Sequence, residues 1–232
     1  MSLAENLAAV RARMAAAAER AGRRPEDVRL VAVAKTQPPE AVRAALAAGQ
    51  VVFGENYVQE AAAKIAQVGP GPRWHFIGRL QTNKARQAAD LFDAVQSLHS
   101  LKLAQALDRR AGELNKRIMV LIQVSLAGET QKSGCSPAEA PALAQAVADL
   151  PNLDLRGLMT LPPFFDQPEA ARPYFAALRE LAQELARDLP AGAMSELSMG
   201  MSGDFEAAIA EGATLVRVGA AIFGARVYGH RG

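Results

Sequence analysis

The chain has 232 residues, 50% hydrophobic and 22% charged, with 26 Lys plus Arg against 24 Asp plus Glu and a formal net charge of +2. This is ordinary globular composition, long enough for a sizeable core, and it excludes general disorder. Aromatics are only 5% and no run of like charge stands out, which argues against a nucleic-acid surface built from clustered cations. The single cysteine, Cys135, rules out an intrachain disulfide framework and a thiolate metal cage. Apolar runs such as Ile118 to Val124 are too short to span a bilayer. The N-terminus lacks a secretory pattern, and Glu5 and Glu19 among Arg11, Arg13 and Arg20 count against a transit peptide. A cytoplasmic protein with no nucleic-acid or membrane partner is expected.

Ser2-Leu3-Ala4-Glu5 reads as a capping box, and Leu3, Leu7, Val10 and Met14 follow at helical spacing. An amphipathic helix from about residue 3 to 22 is predicted, as a packing or closing element. A regular alternation then begins. Short β-branched runs start near Val28, Val51, Trp74, Ala94, Arg117, Leu153, Ser195 and Thr214. Each of the first seven precedes a helical pattern, such as Pro39 to Ala48, Leu101 to Lys116 and Pro168 to Asp188. Strands alternating with helices imply parallel pairing through right-handed crossovers, and eight strands close a barrel. An open doubly wound sheet is the competing architecture, but the first strand runs into Val33-Ala34-Lys35-Thr36-Gln37-Pro38 with no Gly-rich turn. The predicted fold is α/β: a single (β/α)8 TIM barrel with an extra N-terminal helix. It forms one domain over 1–232, with 1–24 packed on the barrel.

Function in such barrels gathers at the C-terminal ends of the strands. The first strand ends in Lys35, after Leu30-Val31-Ala32-Val33-Ala34. Desolvation there favours the neutral amine, which suits Schiff-base chemistry; a lysine that snorkels to solvent is the plainer alternative. Lys64, Lys102 and Lys116 on helical patterns and Lys132 in a loop read as solvated, while Lys84 opens a helix as a secondary binder or a surface cation. The seventh strand runs into Ser198-Met199-Gly200-Met201-Ser202-Gly203-Asp204 ahead of a short helix, and the eighth carries Arg217 and Gly219. The loops after strands seven and eight are the recurrent phosphate site of this fold, although a tight turn capping a helix also accounts for them. A nucleophilic lysine facing a phosphate cradle suggests a phosphorylated aldehyde, with pyridoxal 5′-phosphate (PLP) the obvious candidate. Arg217 then either faces the pyridine nitrogen or pairs with a carboxylate.

Five blocks in order resemble the pyridoxal phosphate homeostasis protein family of YggS-like, PLP-binding barrels. They are Val33-Ala34-Lys35-Thr36, Phe53 to Glu60, His75-Phe76-Ile77-Gly78 with Leu80 to Lys84, Leu197 to Ser202 with Asp204, and Arg217-Val218-Gly219 through Phe223-Gly224. The family is similar to the N-terminal barrel of bacterial alanine racemase. The resemblance implies an internal aldimine at Lys35, phosphate contacts from Ser202, Gly203 and Gly219, and Arg217 at the pyridine nitrogen. It further places Asn56 and His75 along the ring. It also implies a role in intracellular PLP homeostasis, tied to amino-acid and keto-acid balance, without a dedicated turnover. Transfer of PLP by transimination to a free amine or an apo PLP-enzyme is a separate expectation, motivated by Arg217 and by where the sequence ends. Gln123 to Gly134 is only loosely family-like and is assigned no site residue.

Two enzymes compete with this reading. A PLP racemase needs an acid/base on each face of the cofactor; the sequence ends at Tyr228-Gly229-His230-Arg231-Gly232, and none of Tyr57, Tyr174 and Tyr228 has a claim to the second face. A Schiff-base aldolase would need a base beside Lys35, and Glu55 ends the second strand. No catalytic residue is assigned. His75, His99 and His230 are scattered, so no metal site is expected, and Cys135 reads as inert. A monomer is expected.

Overall fold

The computed structural model of the chain describes residues 2–127 and 134–224. Lys132, Tyr228 and His230, weighed above, lie outside the described residues. Eight parallel strands close a barrel in chain order. They are β1 (Arg29–Val33), β2 (Val52–Glu55), β3 (Arg73–Phe76), β4 (Ala94–Leu98), β5 (Ile118–Gln123), β6 (Leu153–Met159), β7 (Glu196–Ser198) and β8 (Leu215–Val218). Every start lies within one residue of the sequence reading. Around them run α2 (Pro39–Ala47), α3 (Val58–Val68), α4 (Ala85–Leu91), α5 (Leu101–Glu113), α6 (Ala140–Ala148), α7 (Arg172–Leu185) and α8 (Phe205–Ala210). A short α9 (Ala220–Phe223) follows β8. Because all eight strands are parallel, all their C-terminal ends open at one mouth.

The N-terminal helix α1 (Leu3–Arg20) starts with the expected capping box: the Glu5 amide donates to Ser2 Oγ at 3.2 Å, and the Ser2 amide donates to Glu5 Oε2 at 2.7 Å. Its inner stripe of Leu7, Val10 and Met14 is buried against α2, α8 and α9, and each such side chain contributes on the order of 2 kcal/mol. Polar contacts fix its angle. Asn6 Nδ2 donates to the Ile222 carbonyl at 3.0 Å, and Arg23 reaches the carbonyls of Ile209 and Ala213 at 2.9 and 2.8 Å. The helix thereby covers the seam where β8 pairs with β1 through Arg29↔Leu215 to Ala32↔Val218.

The strands divide their side chains between two compartments, as their period of two requires. Outward residues such as Phe53, Val120 and Leu158 join the helix layer in the main core. Inside the barrel, Val31, Leu121, Met159 and Leu215 form a separate, fully buried cluster. No helix among the described residues is long and apolar enough to cross a membrane.

The β6 register skips a residue opposite Val120 and Leu121, a bulge that sets Gly157 against Glu196 of β7. Gly157 has φ of +156°, and a Cβ there would fall 1.8 Å from the Glu196 carbonyl oxygen. Gly157→Ala must therefore push β6 and β7 apart. A loss of at least about 3 kcal/mol in urea unfolding is expected; an unchanged midpoint and slope would contradict this account of barrel closure.

Candidate functional site

The mouth of the barrel holds a cavity of about 310 Å³ lined by Lys35, Asn56, Ser202, Arg217 and Gly219, with Val33, Ile77 and Leu161 among its apolar walls. Lys35 follows β1 on the same face as Val31 and Val33, so alternation aims it inward. Gly219 follows β8, where an added Cβ would lie 3.3 Å from both Cβ and the carbonyl oxygen of Val33. A side chain there would press on Val33, so glycine eases the close approach of the β8 end to β1. Gly203 instead borders an adjoining cavity of about 190 Å³ that shares Met201 and Ser202 and is walled by Phe164 and Phe165. His75 lines neither. A larger cavity of about 440 Å³ lies at the opposite end of the barrel. Its polar groups are engaged internally: Arg11 bonds Ala48, Gly49 and Gln50, and Gln50 bonds Leu30 and Val52.

The loop after β7 turns sharply at Gly200, φ +88°, where a Cβ would meet Ala208 and Phe205 within 3 Å. Asp204 Oδ1 accepts from the Met201 amide at 2.6 Å and pins the turn. The Ser202 and Gly203 amides donate to no acceptor among the described residues, and a side chain at Gly203 would meet open space. The Gly219 amide lies 3.4 Å from Ser202 Oγ. These free donors and missing side chains fit a phosphate.

Arg217 is 3% exposed. Burial pushes its pKa down to about 10 against the pull of Asp204, so it remains a cation at neutral pH. Nη2 donates to the Thr160 carbonyl at 2.9 Å and Nη1 to Ser198 Oγ at 2.6 Å. Ser198 then donates to Gln96 Oε1 at 2.6 Å, and Gln96 Nε2 donates to His75 Nδ1 at 2.8 Å. Because β4 and β7 are not neighbours, this chain crosses the lumen. Arg217 can only donate, and with the Gln96 oxygen on Ser198 its amide nitrogen faces the imidazole and can only donate as well. His75 at its end is therefore neutral, with its proton on Nε2. Sequence reasoning placed His75 along the ring; the structure places it at the far end of the polar chain that orients Arg217. Gln96 and Thr160 carry no signal in the sequence, and Ser198 is read there only as the start of a loop, because their roles exist only once the barrel closes.

Behind Lys35, on the outer side of β2, lies a second buried polar group. Glu55 is 0% exposed and Lys64 4%. Lys64 Nζ donates to Glu55 Oε1 at 2.6 Å, to Glu60 Oε1 at 2.9 Å and to the Ala34 carbonyl at 2.5 Å. Burial pushes the Glu55 carboxyl up to about 7 against the opposing Lys64 ammonium. The reading of Lys64 as a solvated lysine is thus corrected. Its spacing from Val58 and Ala61, on the buried face of α3, was the available signal. Glu55 faces α3 and so is not the base beside Lys35 that an aldolase would require. Cys135 is buried, and desolvation raises its thiol to about 11, consistent with the inert reading. No cluster of three or more metal-ligating side chains occurs among the described residues.

Burial holds His75 at about 4, below its ordinary 6.5. The unfolded chain therefore takes up the proton first, and stability is lost as pH falls from 6.5 towards 4, by about 1.4 kcal/mol per unit. Glu55, raised in the fold, contributes a slope of opposite sign that is common to wild type and His75 variants. The stability difference between wild type and His75→Gln is expected to shrink by roughly 2 kcal/mol between pH 6.5 and 4.5; parallel denaturation curves would contradict the neutral histidine.

The alanine racemase N-terminal domain model matches residues 6–227. The pyridoxal phosphate homeostasis protein of Pseudomonas aeruginosa is 51% identical over 229 residues, covering 98% of this chain and 97% of that protein. The protein of the same name from Escherichia coli K12 is 47% identical over 235 residues, covering 97% of each. Among solved structures, PipY of Synechococcus elongatus PCC7942 with PLP bound superposes with a TM-score of 0.85 at 41% identity, covering 96% of this chain and all of that one. An alanine racemase of Clostridium difficile shares the fold at 18% identity and a TM-score of 0.69, with 57% of its chain covered. With such matches along nearly its whole length, the chain belongs to the alanine racemase N-terminal domain family and, within it, to the pyridoxal phosphate homeostasis proteins.

Proposed function

We propose that this protein binds PLP covalently and reversibly through Lys35 and serves intracellular PLP homeostasis, passing the cofactor to apo-enzymes rather than turning over a substrate of its own. One observation carries the reading: Lys35, Arg217, Ser202 and Gly219 surround a single cavity at the barrel mouth. The PLP-bound relative supports it. When bound, PLP supplies an aldehyde that attaches reversibly to amines.

The residues divide the work of holding it. Lys35 provides the amine on the β1 side. Ser202, Gly203 and Gly219 form the phosphate cradle, with Gly203 contributing its amide from the adjoining cavity. Arg217 would face the pyridine nitrogen and, because a guanidinium only donates, would disfavour its protonation. That weakens the electron withdrawal on which carbanion chemistry depends. Asn56 and Ile77 flank the ring, and His75 acts through Gln96 and Ser198 on Arg217. Among the described residues lining the cavity, Lys35 and Arg217 are the charged side chains; a guanidinium only donates, so one acid/base group stands where two-base racemisation needs two, which supports storage and delivery. We place the protein in the cytoplasm as a monomer, one PLP-binding unit closed by α1.

Purified protein incubated with PLP is expected to gain a visible absorbance band that borohydride abolishes, leaving a pyridoxyl mass on the peptide containing Lys35. Lys35→Ala should lose band and adduct while keeping its melting temperature within a few degrees of wild type, since a cavity-lining side chain packs little core. A protein that stays colourless, or carries its adduct on another lysine, contradicts the reading, and racemisation at ordinary enzyme rates contradicts the carrier role.

A further inference from the structure

The peptide bonds on both sides of Lys35 are held by charged side chains from behind the barrel wall. The Ala34 carbonyl, preceding Lys35, accepts from Lys64 Nζ at 2.5 Å, and the Thr36 amide, following it, donates to Glu60 Oε1 at 2.5 Å. Lys64 joins the two contacts through its bonds to Glu60 and Glu55. All three ammonium protons are thus used on Ala34, Glu55 and Glu60. Thr36 has φ of +62°, a conformation that a β-branched residue holds only when its surroundings impose it. Glu60 supplies that imposition directly, through a charge-assisted bond to the strained residue's own amide.

We propose that Glu55, Lys64 and Glu60 are positioning residues for Lys35: a clamp that fixes the peptides flanking it, and so the direction in which its side chain enters the cavity. This rests on the reading that Lys35 carries the cofactor. The clamp touches neither the cavity nor the reacting atoms; it acts through the Ala34 and Thr36 backbone. Charged groups suit the task because α3 must reach β1 past β2. Glu55 on β2 is the intermediate post that lets a single ammonium bridge all three elements. A plain staple of α3 to the barrel would need the Lys64–Glu55 pair alone, whereas the Glu60–Thr36 bond reaches past it to the turn bearing Lys35.

The test uses the full chain as wild type, Glu60→Ala, Glu60→Gln and Lys64→Met. Three quantities are read: hydrogen exchange of the Thr36 amide without PLP, the rate at which PLP becomes borohydride-trappable on Lys35, and the melting temperature. In Glu60→Ala, faster Thr36 exchange and about tenfold slower trapping are expected, with melting within a few degrees of wild type because Glu60 is partly exposed. Glu60→Gln keeps an acceptor oxygen and should recover most of the rate. Lys64→Met should slow trapping of its folded fraction at least as much. Wild-type trapping rates in folded Glu60→Ala and Lys64→Met overturn the clamp while leaving the cofactor reading intact. A wild type that traps nothing on Lys35 overturns both, whatever Thr36 exchange reports.

Discussion

A guanidinium that can only donate hydrogen bonds, buried on β8, sets the polar order of the barrel interior. Arg217 must find acceptors on every side that water cannot reach. It takes them from the Thr160 carbonyl and Ser198 Oγ; Ser198 passes its own proton to Gln96, whose amide donates to His75. Removing any acceptor in that series would leave a buried donor unsatisfied, at a cost of about 1–3 kcal/mol. Burial and the Gln96 bond hold the histidine at the end of this chain neutral. Below this chain the lumen carries the apolar cluster of Val31, Leu121, Met159 and Leu215, which separates the mouth from the Arg29–Glu196 ion pair at the opposite end.

Lys64 presents the complementary case on the outer side of the wall. Its ammonium is removed from water, and desolvation of such a pair can exceed its Coulombic gain. The three acceptors around it offset that cost, and one is the backbone carbonyl beside Lys35. Two buried cations thus bracket the β1 end, one from the lumen and one from the helix layer, each bonded to main chain at a strand end. Stability alone would be served as well by apolar residues in both places. Their shared feature is proximity to the groups that line one cavity.

The fold was legible because short β-branched runs and helical patterns alternate without interruption. Lys35 was legible for a local reason, a cation closing an apolar strand. The glycines at 200, 203 and 219 were legible through their place after strands seven and eight. What the sequence did not disclose depends on closure. His75, Gln96 and Ser198 lie on three strands, and their bonds form only across the lumen. An ammonium on a helix is usually solvated, which hides Lys64 in the sequence although it continues the buried spacing of Val58 and Ala61. Glu55 was read by its strand-end position, whereas its face of the strand decides its chemistry. A single residue of alternation separates Gly54, inside the barrel, from Glu55, outside it.

The role of every residue at the barrel mouth depends on where a phosphorylated aldehyde would sit. The most direct measurement is a crystal structure of the protein grown with PLP. The expected result is electron density continuous from Lys35 Nζ into the ring, with the phosphate against Ser202, Gly203 and Gly219 and the Arg217 guanidinium at the pyridine nitrogen. A cofactor bound in another cavity, or lying at the barrel mouth without a bond to Lys35, would contradict it.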